Sequence, residues 1–298
     1  MKLSRIFLLL FFLIFSPYYL FASTFHINSS SDLVGSIQYH RIVSGDSWND
    51  LCYYYGVGYD ELRAANPKIE SISANTGRTL VIPSLYLLPS KKYRNGIVVN
   101  LAEKRLYFFL DPHTVLTYPV SIGKSAWETP TFYASVRGKK VAPSWYVPKS
   151  IKEYMREKYD RELPDVVEPG PDNPLGNYAI YLTKPGILIH GTNNESRHGS
   201  AISAGCVRMY NRDIQELFFL VGKSAPVYFI HQDEKIGIHE NAVFYEKHSA
   251  YNDDDFDMVY FYLDSLQKQH EFMLIDKDLL KDVHDFERGI PIQIGVIE

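Results

Sequence analysis

From Gly96 onward the chain is built of short apolar runs broken by turn residues, and that pattern restricts the fold more than any other feature. Residues 97–101, 105–110 and 116–122 are each of strand length, and 178–182 and 186–190 form a further pair separated by Thr183, Lys184 and Pro185. Runs this short with turns between them predict antiparallel strands and a mostly β domain. A length of 298 residues leaves room for a second domain, and a third if it is small. With 46% apolar and 22% charged residues, wholesale disorder and a polytopic membrane protein are both excluded. The formal charge of −4 gives a nucleic-acid-binding surface no general electrostatic support.

The N-terminus indicates the compartment. Lys2 and Arg5 precede a run without polar side chains over 6–15, which Ser16 and Pro17 break. This reads as a secretory signal peptide, residues 1–22, cleaved after Ala22; the alternative is an uncleaved anchor over 6–22. Cleavage removes two basic side chains and no acid, taking the charge from −4 to −6. The expected location is periplasmic or cell-wall associated, where disulfides are permitted. The chain has only Cys52 and Cys206, so at most one bridge is open to it.

Residues 39–83 carry a separate pattern. Gly45, Asp46 and Ser47 offer a helix cap, and Trp48, Leu51, Cys52 and Tyr55 follow at helical spacing. Gly56 is a natural C′ residue, a second helix runs through Asp60, Glu61, Leu62 and Arg63, and Asn66-Pro67 stops it before a strand at 79–83. The Val43-Ser44-Gly45-Asp46-Ser47 entry, the Asn66-Pro67 stop and the Leu80-Val81-Ile82-Pro83 exit resemble the LysM family. That resemblance implies a βααβ module binding the glycan of peptidoglycan; a spacer without sugar affinity is the bland alternative. Cys52 falls on the apolar stripe and is expected in the module's core. Residues 84–95, with Lys91-Lys92-Tyr93-Arg94, read as a solvated linker.

Chemistry concentrates between His190 and Cys206. His190 ends a strand, and Cys206 sits in a turn after Gly205, ahead of a helix that Asn211 is expected to cap and whose buried face is Ile214, Leu217, Phe218 and Val221. Backbone N–H groups and an imidazolium neighbour would lower the thiol pKa. As a catalytic pair, His190 would take the thiol proton, the sulfur would attack an acyl carbon, and main-chain N–H groups around Gly205 and Cys206 would hold the oxyanion; spacing alone equally allows a buried thiol and a hydrogen-bonded surface histidine.

The run His190-Gly191-Thr192-Asn193, then Gly199, Ser203-Ala204-Gly205-Cys206-Val207-Arg208-Met209 and Asn211-Arg212-Asp213, resembles the L,D-transpeptidase (YkuD) family signature. Ser121-Ile122-Gly123-Lys124 with Thr129-Pro130, and the loop over 168–176, resemble further parts of its LysM-bearing branch. The resemblance implies a mixed-β catalytic domain over 96–231 with one helix after the nucleophile, and no metal or organic cofactor. By position, Cys206 matches the nucleophile, His190 the base and later acid, and the Gly191 carbonyl the group orienting the imidazole. Arg208 would fix a substrate carboxylate or, the favoured reading, brace the loop; Ser203 would form the turn or present its hydroxyl to the substrate, with simple solvent exposure as the alternative, and Thr192 would line the substrate or oxyanion site. Ala204 and Ala201 replace a common histidine and arginine, and the family's glycine after Thr-Pro is absent at Thr131.

The implied reaction is acyl transfer from a peptidoglycan stem tetrapeptide, with release of terminal D-alanine. The acceptor would be the diaminopimelate of another stem, the lysine of an outer-membrane lipoprotein, or water, which would make the enzyme a hydrolase (a carboxypeptidase). NlpC/P60 endopeptidases place cysteine before histidine, the reverse of the order here. A zinc amidase is disfavoured because the ten histidines include no closely spaced ligand pair, and His198 is expected to be exposed. A noncatalytic wall-binding protein is the rival of a different class. Residues 232–298 read as a small α+β extension: a hairpin over 236–246, a helix capped by Asp253, Asp254 and Asp255, a second helix ended by Gly289, and a strand over 290–297. It would pack on the catalytic core or shape acceptor access.

Overall fold

The computed structural model describes residues 23–249, 256–270 and 272–298. The apolar N-terminal run and the three expected aspartate caps lie outside these residues. No helix among the described residues is long and apolar enough to cross a membrane.

Two strands, β1 (Ser23–His26) and β2 (Leu33–Gly35), lead into β3 (Gln38–Arg41), α1 (Trp48–Tyr55), α2 (Tyr59–Ala64), β4 (Thr79–Ile82) and β5 (Leu85–Leu87). Strands β3 and β4 pair antiparallel around the two helices, giving the βααβ order. Ser47 caps α1 by accepting the Asp50 N–H, and Gly56 closes it in the left-handed conformation. Leu51 and Cys52 face a core with Leu62, Leu80 and Ile82. Asn66 fastens the exit strand, since its side-chain amide donates to the Leu62 and Val81 carbonyls and accepts the Val81 N–H.

The stretch expected as a linker is packed instead. Strand β5 pairs with β2, Tyr86, Leu87 and Leu88 are buried, and Arg94 forms an ion pair with Asp32 at 2.8 Å. Alternating apolar side chains here find a second surface, the reverse face of the large sheet.

The following elements are β6 (Gly96–Asn100), β7 (Arg105–Asp111), β8 (Thr114–Pro119), β9 (Ile122–Gly123), β10 (Phe132–Val141), β11 (Trp145–Tyr146), α3 (Lys149–Tyr159) and β12 (Val166–Val167). Then come β13 (Tyr178–Leu182), β14 (Leu188–His190), β15 (Ala201–Ser203), β16 (Val207–Arg208), α4 (Asn211–Leu220) and β17 (Pro226–Ile230). One nine-stranded sheet runs in the order β1-β8-β7-β6-β17-β10-β13-β14-β16. It is mixed, because β17 joins β6 and β16 joins β14 in parallel while the other neighbours are antiparallel. Ile214, Leu217 and Phe218 of α4 pack on one face with Ile97, Leu106, Ile180 and Val207. The expected cap moves by one residue: Tyr210 is the N-cap and Asn211 opens the helix. The Glu195 carboxylate accepts the Asn211 N–H at 2.8 Å, a negative charge where the helix dipole favours one.

Within 96–231 only the helix after Cys206 was expected; α3 is an addition. It is amphipathic but polar overall, none of its residues is fully buried, and it connects β11 to β12, which pair antiparallel. The last elements are β18 (Glu234–His239), β19 (Ala242–Lys247), α5 (Phe256–Gln267), β20 (Met273–Ile275), α6 (Lys277–Phe286) and β21 (Ile292–Ile297). They make a separate sheet, β18-β19-β21-β20, with its own core. Helix α6 ends on Glu287 in the left-handed conformation, ahead of Gly289.

Candidate active site

The parallel pairing of β14 and β16 sets His190 directly beside Arg208. A parallel neighbour requires a crossover, and residues 191–206, with the short strand β15 among them, supply it and return the chain to the start of β16, immediately after Cys206. Cys206, His190, Arg208 and Ser203 thereby line one cleft of about 380 Å³. Strand β11 and helix α3 wall it with Trp145, Tyr146 and Ile151. Tyr154 of α3 packs its ring 4.6 Å from Trp127 and accepts a hydrogen bond from Lys124, holding this wall against the loop after β9.

His190 is 3% exposed, and its Nδ1 lies 2.7 Å from the Gly191 carbonyl. A carbonyl only accepts, so Nδ1 carries the hydrogen and Nε2 keeps its lone pair. Burial, helped by the Arg208 charge, outweighs that bond and brings the imidazole pKa down to about 3. The ring is neutral at physiological pH. Cys206 is half-buried and its thiol donates to the Gly186 carbonyl at 3.6 Å. Burial pushes its pKa up, against the opposing pull of the Leu188 main chain and the Arg208 charge. The expected lowering is therefore reversed: burial favours the neutral form of both groups, and the pair rests as thiol and imidazole.

The loop geometry is held by side chains. Gly205 has φ of 104°, a conformation that favours glycine. Ser203, 1% exposed, donates to the Cys206 carbonyl at 2.6 Å and accepts the Gly205 N–H at 3.2 Å. That N–H is thus taken, which corrects its expected share in an oxyanion pocket. Thr129 donates to the Gly205 carbonyl at 2.8 Å and accepts the Gly123 N–H at 2.9 Å. Thr192 does not reach the cleft; its hydroxyl closes a turn with Asn194, and Asn211 binds its main chain on both sides. The bracing expected of Arg208 is done by its main chain, paired both ways with Ser121 at 2.9 Å, while among the described residues its guanidinium makes no ion pair. His198, expected exposed, is 2% exposed and donates to the Pro119 carbonyl.

Sequence reasoning missed Arg137, Lys184, Trp145, Tyr146 and Tyr181, which also line the cleft. Their signal is weak, since each lies on a strand or turn far along the chain. Asn173 was within the quoted loop but had no role; fully buried, its amide donates to the Pro143 and Val167 carbonyls at the base of the wall. Cys52 and Cys206 are both free, so no bridge joins them.

A mixed-β domain that brings a cysteine and a neutral histidine into one cleft, behind a βααβ module, has the architecture of a LysM-bearing cysteine enzyme. A family model described as the L,D-transpeptidase catalytic domain matches residues 94–229, and a LysM domain model matches 40–83. The chain is 33% identical over 277 residues to the probable L,D-transpeptidase YcfS of Escherichia coli, covering 89% of this chain and 86% of that protein. It is 40% identical over 184 residues to the probable L,D-transpeptidase ErfK/SrfK of the same species, covering 61% and 58%. A crystal structure of an Enterococcus faecium L,D-transpeptidase aligns with a TM-score of 0.36 at 18% identity, covering 58% of this chain and 65% of that one. The chain belongs to the L,D-transpeptidase (YkuD) family and is an enzyme of that family.

Proposed function

We propose that this enzyme is exported and acts on peptidoglycan stem tetrapeptides through a Cys206 thioester. The observation that carries this reading is the Nδ1 bond of His190 to Gly191, which leaves Nε2 as a base in the cleft that holds Cys206. As the sulfur attacks the carbonyl of the third stem residue, Nε2 takes the thiol proton. The peptide bond to the terminal D-alanine breaks, and the same proton goes to the departing amine. An amine then attacks the thioester carbon, giving its proton to His190 as the new amide forms and the thiol is restored. With the Gly205 N–H occupied, the Cys206 N–H is the oxyanion donor of this scheme. Acceptors are diaminopimelate of a second stem or a lipoprotein lysine, with water giving the carboxypeptidase. The module at 40–83 would hold the glycan of the same wall.

The cleft lining supports an anionic donor. Arg137, Lys184 and Arg208 line it, and among the described residues no aspartate or glutamate does. Exposed charge pairs of this kind contribute about 0.5–1 kcal/mol each. Arg137→Gln is expected to raise the donor KM about threefold to fivefold, with kcat little changed and the effect fading in high salt. A reduced kcat at unchanged KM would count against a binding role.

The reading as a whole is tested by incubating the protein with purified muropeptides, with and without lipoprotein, and identifying products by mass spectrometry. Release of D-alanine with a new amide is expected. Intact tetrapeptides after incubation with folded protein would overturn the reading, and tripeptides alone would make water the acceptor.

A further inference from the structure

The nucleophile loop is clamped from outside the catalytic domain. Each residue of 197–200 meets the βααβ module. The Arg197 N–H donates to Asn49 at 2.9 Å, the His198 carbonyl accepts the Tyr59 N–H at 2.7 Å, and Ser200 donates its hydroxyl to Asp60 at 2.6 Å. Gly199 packs so closely on Gly58 that a Cβ there would stand 2.3 Å from the Gly58 Cα. On the opposite side the same segment is held to the catalytic sheet, with His198 bonded to the Pro119 carbonyl at 2.9 Å and the Gly199 N–H to Ser121 at 3.0 Å.

The clamp is anchored in turn. Glu61, beside Asp60, accepts the Gly58 N–H at 2.8 Å and pairs with Arg105 of β7 at 2.6 Å, both side chains buried. Downstream, β15 pairs with β9 and ends at Ser203, whose hydroxyl holds the Cys206 carbonyl. A continuous chain of short contacts therefore runs from the first turn of α2 to the nucleophile.

We propose that this turn, Gly58–Glu61, is a positioning element for Cys206, so that the glycan-binding module sets the geometry of attack as well as tethering the enzyme. The proposal rests on Cys206 being the nucleophile. Asp60 is its accessible member, since its side chain is 40% exposed and its loss leaves no buried group unpaired except the Ser200 hydroxyl.

The experiment uses the full chain with a carbapenem as probe and follows the Cys206 adduct by intact mass across probe concentrations. Asp60→Ala is expected to slow maximal acylation about fivefold to twentyfold, with the half-saturating concentration within about twofold, as a small displacement of the attacking atom would do. Asp60→Asn keeps an oxygen for Ser200 and should recover most of the rate. Ser200→Ala should match the Asp60→Ala loss, and the double variant should be no slower than either single one. Wild-type rates in both alanine variants would overturn the proposal, as would a loss that asparagine fails to rescue, which would trace instead to the Lys104 pair. A wild-type protein that forms no adduct at Cys206 would remove the nucleophile assignment itself, a result distinguishable from either.

Discussion

Cys206→Ala is expected to leave a protein that folds and melts like the wild type but forms no covalent adduct and transfers no acyl group. The fold should survive because the thiol contributes only one long hydrogen bond at 3.6 Å. His190→Gln should slow acylation by about 10²–10⁴, the range general-base catalysis supplies. The pH profile gives a sharper check. Because burial holds the imidazole near 3, the base stays deprotonated throughout the range where an ordinary histidine titrates. Acylation should therefore show no acid limb between about pH 5 and 7, with the rate rising toward alkaline pH as thiolate becomes accessible. An acid limb centred near pH 6.5 would mean that His190 titrates as a free imidazole, against the burial seen. Cys52 provides an internal control: buried at 1% exposure with its pKa pushed well up by desolvation and the nearby Glu61, it should take no label in the native protein.

Lys235→Met is expected to have the largest effect on stability. The Lys235 ammonium, 1% exposed, lies 2.8 Å from both Glu103 and Glu246 and donates to the Leu87 carbonyl at 2.6 Å. Glu246 also accepts the Leu87 N–H at 2.8 Å, and Tyr107 donates to Glu103. These contacts tie the turn after β6, strand β5 and the C-terminal hairpin to one charge. Removing one partner of a buried ion pair typically costs about 3–5 kcal/mol, because the remaining charges stay buried without compensation. Here two carboxylates would face each other. Chemical denaturation should show that loss, and a change under about 1 kcal/mol would show that the cluster relaxes into solvent.

Although burial raises the Glu246 carboxyl, Lys235 and His248 together outweigh it and hold it at about 2. A depressed acid contributes stability that is present above its unfolded pKa, near 4.5, and is lost as pH falls toward 2, so the C-terminal hairpin should loosen across that interval. Glu103, Glu246 and His248 also approach one another closely enough to suggest a metal site. The lysine between the two carboxylates already supplies the positive charge.

Among the described residues, none beyond Arg208 lines the cleft, so the C-terminal sheet does not contribute to it. The idea that 232–298 shapes acceptor access thus has no support from the lining, whereas packing against the domain through Lys235 is direct.

Much of this protein was legible in local sequence. Short apolar runs after Gly96 become strands of the large sheet, and the stripe at Trp48, Leu51, Cys52 and Tyr55 becomes the core side of α1, since both depend on neighbours within a few residues. The order of His190 before Cys206 and the residues around them pointed to the family. What stayed hidden depends on contacts far apart in the chain. The packing of β5 into the body, the parallel pairing of β14 with β16 and the burial of His198 against the Pro119 carbonyl all join segments well separated in the chain. The thiol's pKa also belonged to this hidden part. A cysteine ahead of a helix suggests activation, but the direction of its shift depends on desolvation, which only the assembled cleft determines. The resemblance carried by local motifs pointed to Cys206 and His190 as the reacting pair, whereas the tertiary structure decided their protonation and their partners, because desolvation and long-range contacts exist only in the assembled cleft.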